Sequence, residues 1–178
     1  MQNNEKIESI LKSQGLSEYK WIDPKEIVVA NWVRMKCTFG CNGYGGGACP
    51  PNVPSVKDCK DFFMEYEKGL ILKFNITADK NEYPTDLSNE IAKKLLATER
   101  EIFLSGFQKT FLLGQSGCSF CNDCSNNRID CIDKLNARPK PESFAVDVYK
   151  TARNIGYEIN VIAESQAEIT RIAILLIE

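Results

Sequence analysis

The residues with the clearest chemistry are eight cysteines, and no histidine is present to share a metal with them. They form two sets of four: Cys37, Cys41, Cys49 and Cys59, then Cys118, Cys121, Cys124 and Cys131. The spacings are C-x3-C-x7-C-x9-C and C-x2-C-x2-C-x6-C, and no cysteine lies outside them. Each set supplies the four thiolates that one metal centre takes. The missing imidazole excludes Ser-His-Asp and Cys-His catalysis and every His-ligated zinc or haem site.

The second set is the more diagnostic. A short loop carrying C-x2-C-x2-C can turn three thiolates onto one body, and a cubane offers several iron corners to it. Bacterial ferredoxins use C-x2-C-x2-C-x3-C, with the last cysteine serving the other cluster. Here Cys131 follows six residues on with no proline after it, so it either completes its own centre or crosses to the first. In the first set, Cys49-Pro50-Pro51 forbids helix directly after the third thiol. Gly43, Gly45, Gly46 and Gly47 let backbone approach closely, and their amides could reach cluster sulfurs or simply close a tight loop. Zinc competes for both sets. Zinc sites, however, pair two short C-x2-4-C knuckles across a longer loop, and neither set has two. Two four-iron cubane clusters are therefore expected, with zinc as the alternative cofactor.

Three look-alike motifs carry less. Gly43-Tyr44-Gly45-Gly46-Gly47-Ala48 spells G-x-G-x-x-A, but prolines follow where a dinucleotide site needs a helix. Cys118–Cys121 and Cys121–Cys124 each read C-x-x-C, yet an overlapping triplet with a fourth cysteine suits metal better than a dithiol couple. Cys37-x3-Cys41 begins the radical S-adenosylmethionine motif, but the next cysteine is too distant. Arg34, Lys36, Arg128, Lys134, Arg138 and Lys140 flank the cysteines and would offset anionic centres, dock an acidic partner or remain solvated. Phe39, Tyr44 and Phe120 are expected to shield the centres from water. The dispersed acids, including Asp123, Asp130 and Asp133, support no acid–base pair.

The elements that must position these loops follow from periodicity. Residues 5–13 pattern as a helix stopped by Gly15, and residues 26–36 as a strand rich in Ile27, Val28 and Val29. Glycines and prolines make 37–54 irregular. Ser55-Val56-Lys57-Asp58 is a capping box opening a helix to about residue 68. Residues 70–76 read as a buried strand, 88–105 as the longest helix, 110–114 as a strand before a second irregular stretch to 138, and 144–154 as a helix. Residues 158–163 and 170–177 read as two closing strands. This alternation predicts one α/β domain over 1–178, with α+β as its variant: a mixed sheet, flanking helices and two cysteine-rich metal-binding loops. Each loop would follow a strand, and parallel strands would bring both to one edge of the sheet.

Composition narrows the class. A net charge of −2, from 22 basic and 24 acidic residues, lacks the basic excess of a protein that grips nucleic acid. The polar N-terminus has no signal-peptide character, and the longest apolar run, 172–177, is far short of a membrane span. A cytoplasmic location follows, where eight thiols stay reduced and serve metal or redox chemistry. Residues 172–177 would lie at the sheet centre or pair across a dimer, and oligomeric state is left open.

Taken together, Trp32-Val33-Arg34-x-Lys36-Cys37-x3-Cys41-x2-Tyr44-Gly45, Cys49-Pro50-Pro51, Cys118-x2-Cys121-x2-Cys124 and Arg138-Pro139 resemble an uncharacterised bacterial and archaeal family of predicted metal-binding proteins. The resemblance spans about residues 21–176. It implies metal binding through all eight cysteines and a cytoplasmic prokaryotic origin, and no substrate. The family's histidines and prolines around the last cysteine are here Asn127, Ile129 and Asp130. Three functions compete: an electron-transfer protein or redox subunit with two clusters and a redox partner protein; an adaptor held together by two zinc ions; and an iron–sulfur enzyme with one open cluster site. In the last, Cys59 would be the dispensable ligand.

Overall fold

The apolar C-terminal run forms the middle of the molecule. The computed structural model describes residues 2–77, 84–161 and 168–178. Its four-stranded sheet has the order β1-β2-β4-β3, with β1 at Tyr19–Ile22, β2 at Gly69–Thr77, β3 at Phe111–Leu113 and β4 at Glu168–Leu176. The two long strands pair over their full length, from Gly69 opposite Leu176 to Thr77 opposite Glu168. Every ladder is antiparallel, so within the expected α/β class the strand pairings are of the α+β kind.

A strand's side chains alternate between faces, and here both faces are covered. Leu70, Leu72, Ala173, Leu175 and Leu112 pack beneath helices α1 (Gln2–Ser13) and α4 (Thr85–Leu104), against Ile7, Leu11, Leu95 and Ile102. Ile71, Ile172, Ile174, Leu176 and Leu113 face the other way, against Cys59, Phe63, Phe144 and Ala152. Double-sided burial makes β4 a continuous apolar run instead of an alternating one. The strand lies inside the sheet, as one of the two expected placements had it.

Helix α2 (Asn31–Gly40) corrects the strand expected over 26–36. Pro24–Glu26 forms a 3-10 turn, and beyond it Val29 makes only an isolated bridge to Val146. Val33 and Cys37, one turn apart, then bury the inner face of α2. Ala30 at its N-cap offers no side-chain cap, so the usual start signal is missing. Helix α3 (Val56–Phe63) has its cap as read: Ser55 Oγ accepts from the Asp58 amide at 3.1 Å. Asp58 answers the Ser55 hydroxyl, 2.6 Å away, instead of the Ser55 amide, and α3 ends before the expected 68.

The helix expected over 144–154 is divided. A 3-10 turn, Pro141–Phe144, is followed by Ala145 at φ 59°, and α5 (Val148–Asn154) restarts on an Asp147 cap. Residues 158–161 form no strand; Arg153 holds the Ile159 carbonyl instead, and residues 162–163 lie outside the described residues. Strand β1 had no counterpart in the periodicity. No helix among the described residues is long and apolar enough to cross a membrane.

Candidate metal centres

The first cysteine loop joins α2 to α3. Cys37 ends the buried face of α2 and Cys41 is its C-cap. Residues 41–49 then fold back in tight turns: the Gly45 amide donates to the Pro50 carbonyl at 2.7 Å, and the Cys49 amide to Gly46 at 2.9 Å. Gly45 sits at φ 92°, where a side chain would be strained. A Cβ on Gly43 would lie 3.6 Å from Cys41 Sγ and 3.8 Å from Cys49 Sγ, so this glycine keeps open the space between two thiols. The Pro141–Phe144 turn covers them: Cys37 Sγ lies 3.7 Å from the Glu142 carbonyl, and the Ser143 hydroxyl lies 3.7 Å from Cys49 Sγ. Burial pushes the Cys37 thiol up, Lys140 opposes that, and the neighbouring Cys41 and Cys49 add to it. Three of the first four cysteines are thus brought together.

Cys59 has a different setting. It sits on α3, wholly buried in the core with Phe63, Ile71 and Phe144. Its Sγ lies 3.6 Å from the Pro54 carbonyl. Burial pushes its thiol up to about 11, with Arg34 opposing and Asp58 adding.

The second loop leaves β3 and carries all four of its cysteines to one place. Cys118 feels Cys131, Cys121 and Cys124, and burial raises its thiol above the ordinary value. Cys131 thus lies beside the other three. The Gly47 and Asn126 amides point at Cys124 and lower its thiol. All eight cysteines are free thiols.

The two loops touch. A cavity of about 230 Å³ is walled on one side by Gly43, Tyr44, Gly47 and Cys49, and on the other by the second set of four. A Cβ on Gly47 would lie 3.4 Å from the Asn127 carbonyl. Asn52 Nδ2 reaches the carbonyls of Gly45 at 2.9 Å, Gly46 at 3.3 Å and Asn126 at 3.3 Å, bridging the loops. The loops meet without the parallel strands expected to bring them together: only the second loop follows a strand, while the first follows a helix.

Helix α4 anchors both ends of the second loop, and sequence reasoning missed this. At the entrance, Gln115 Nε2 donates to the Ser88 carbonyl at 2.8 Å, and the Ser116 and Ser88 hydroxyls are 3.0 Å apart. At the exit, Arg138 Nε and Nη2 lie 2.9 and 2.8 Å from Glu99 Oε2. Glu99 also accepts the Leu112 amide of edge strand β3 at 2.9 Å. A signal was available: Glu99 lies four residues after Leu95 and three before Ile102, on the apolar stripe of α4.

The flanking cations are mostly occupied. Arg34 Nη2 donates to the Pro54 and Ser143 carbonyls, Arg128 to Lys134, and Lys36 lies over the Trp32 ring. Phe39, expected to shield a centre, is 83% exposed; Tyr44 and Phe120 do line the inter-loop cavity. Residues 43–48 open no helix, so the G-x-G-x-x-A match has no nucleotide site under it.

Among the described residues, no three His, Cys, Asp or Glu side chains already stand at the spacing of a single bound ion. The donor set nevertheless fits a thiolate-held metal group: soft sulfur donors gather on glycine-rich loops whose amides point at them. No curated protein and no solved structure matches the chain. One family model does, over residues 20–177: predicted metal-binding protein (DUF2284). The chain, with its gathered thiols, belongs to this family of predicted metal-binding proteins.

Proposed function

We propose that the chain is an iron–sulfur protein with two adjoining centres, one on Cys118, Cys121, Cys124 and Cys131 and one on Cys37, Cys41 and Cys49. The observation that carries this reading is the grouping of seven thiols, four and three, on two loops that meet at a cavity lined by Cys49 and the second set of four. When bound, such clusters supply one-electron chemistry. The chain's own residues would hold and tune them. Gly47 and Asn126 amides donate to Cys124, a type of contact that adjusts reduction potential. Lys140 sets a positive charge beside Cys37. Tyr44 and Phe120 limit water between the loops. Electron transfer to a redox partner protein belongs to this reading, and Ile129, Ile132 and Leu135, exposed beside Cys131, are available to meet it.

The position of Cys59 favours a second feature. A centre held by three thiols leaves one ligand position for another molecule, which suits an enzyme as well as an electron carrier. The test is iron, zinc and acid-labile sulfide content with a visible spectrum, on protein purified without oxygen. About eight iron and eight sulfide are expected if both clusters are of the four-iron type. Cys59→Ala should keep that content, whereas Cys121→Ala should lose about half of it. About two zinc ions per chain and no sulfide would establish the zinc adaptor instead. Colourless protein free of both metals would overturn both readings.

A further inference from the structure

A second cavity is separate from the inter-loop one. It has a volume of about 770 Å³, within the range of small-molecule sites. It lies between α2, α5 and the first part of β4, and Cys37 and Cys41 form part of its wall. Five cationic side chains line it: Lys36, Lys140, Lys150, Arg153 and Arg171. Among the described residues only two carboxylates do, Glu142 and Asp147, and Asp147 is committed to capping α5 through the Lys150 amide at 2.9 Å. In a chain of net charge −2, this is a local concentration of positive charge in a recess, where low-dielectric walls focus the field.

The rest of the wall is apolar and partly aromatic, including Trp32, Val146, Tyr149, Ile159 and Ile172. Arg153 is held in place: its Nε and Nη2 donate to the Ile159 carbonyl at 3.2 and 2.9 Å, and its guanidinium lies 5.8 Å from the Tyr149 ring centre. Gln115 reaches the wall with only 4% of its surface exposed. Its Nε2 is spent on Ser88, and its Oε1 is buried with no donor among the described residues. The wall therefore offers positive charge and flat apolar surface.

We propose that this cavity binds a small organic anion with an aromatic body, placed beside the Cys37–Cys41 thiols. The thiol-bearing wall makes the molecule that fills the cavity the natural neighbour of whatever group Cys37, Cys41 and Cys49 hold. The binding itself needs no metal, so it stands or falls separately from the iron–sulfur reading.

The experiment is calorimetric titration of the full chain, metal-free and metal-loaded, with AMP and phenyl phosphate. Adenosine, phenol and inorganic phosphate serve as counterparts. Saturable binding of AMP or phenyl phosphate below about 1 mM is expected. The uncharged counterparts and inorganic phosphate should bind at least about tenfold more weakly. Lys150→Glu, a charge reversal at an exposed position, should weaken the anion by about tenfold, with cooperative unfolding showing that the fold is kept. Failure of both anions to saturate, equal binding of charged and uncharged probes, or inorganic phosphate binding as well as phenyl phosphate (an adventitious ion only) would overturn the proposal. Metal content, assayed on the same samples, reports on the iron–sulfur reading independently.

Discussion

Cys59 and Cys124 show how one residue type takes opposite roles. Cys59 is packed among aromatic and aliphatic side chains, where a thiolate would lose its hydration, so its thiol stays protonated up to about 11. Cys124 is exposed and receives two backbone amides, which favour the thiolate. Iodoacetamide applied to the metal-free folded chain at about pH 8 should modify Cys124 early and Cys59 last, because the thiolate is the nucleophile. Peptide mass mapping over time reads the order, and equal rates at the two sites would contradict the burial of Cys59. The same shift links to stability. The folded state holds the Cys59 proton more tightly than the unfolded chain, whose thiol has a pKa near 9.0. Its contribution is therefore complete below pH 9.0 and declines as pH rises toward about 11.

At the scale of elements, α4 both covers the sheet and fixes the second cysteine loop at two points. The Glu99–Arg138 pair is the tighter of these, with the Glu99 side chain 9% exposed and that of Arg138 26%. Glu99 also closes the otherwise unpaired side of β3 through the Leu112 amide. Arg138→Ala would leave that carboxylate buried without its counter-charge. A loss of about 3 kcal/mol in urea unfolding is expected. Metal should also leave the second centre faster under a chelator, because the loop exit is no longer tied down. Unchanged stability would mean that water replaces the guanidinium at little cost. Replacing both residues with apolar ones of similar volume should recover part of the loss.

At the scale of the molecule, two loops distant in sequence meet at one cavity. Asn52 joins them by three contacts from one amide nitrogen. Asn52→Ala should cost about 1–2 kcal/mol. It should also accelerate metal loss from both centres together, followed by the decay of iron released into a chelator. Loss confined to the first centre would show that the loops act independently. The antiparallel sheet carries one partner of this meeting: β3 lies at its edge, and the second cysteine loop leaves from it.

The amino-acid sequence by itself determined which donors are on offer, because ligand chemistry is written in residue type: eight thiols, no imidazole, and a C-x2-C-x2-C run. It also placed α1, the Ser55 cap, β2, α4 and β4 to within a few residues, since each has strong periodicity or a local stop signal. Where local signals were weak or conflicting, packing decided. Ile27, Val28 and Val29 favour extended chain, yet the stretch after them becomes α2 because Val33 and Cys37 gain burial one turn apart. Spacing counted Cys59 as a fourth ligand, and only the tertiary structure places it in the core, because α3 docks the face that carries Phe63 as well. Glu99 and Arg138, 39 residues apart, and the cavity between α2, α5 and β4 depend on long-range contacts that no local pattern encodes.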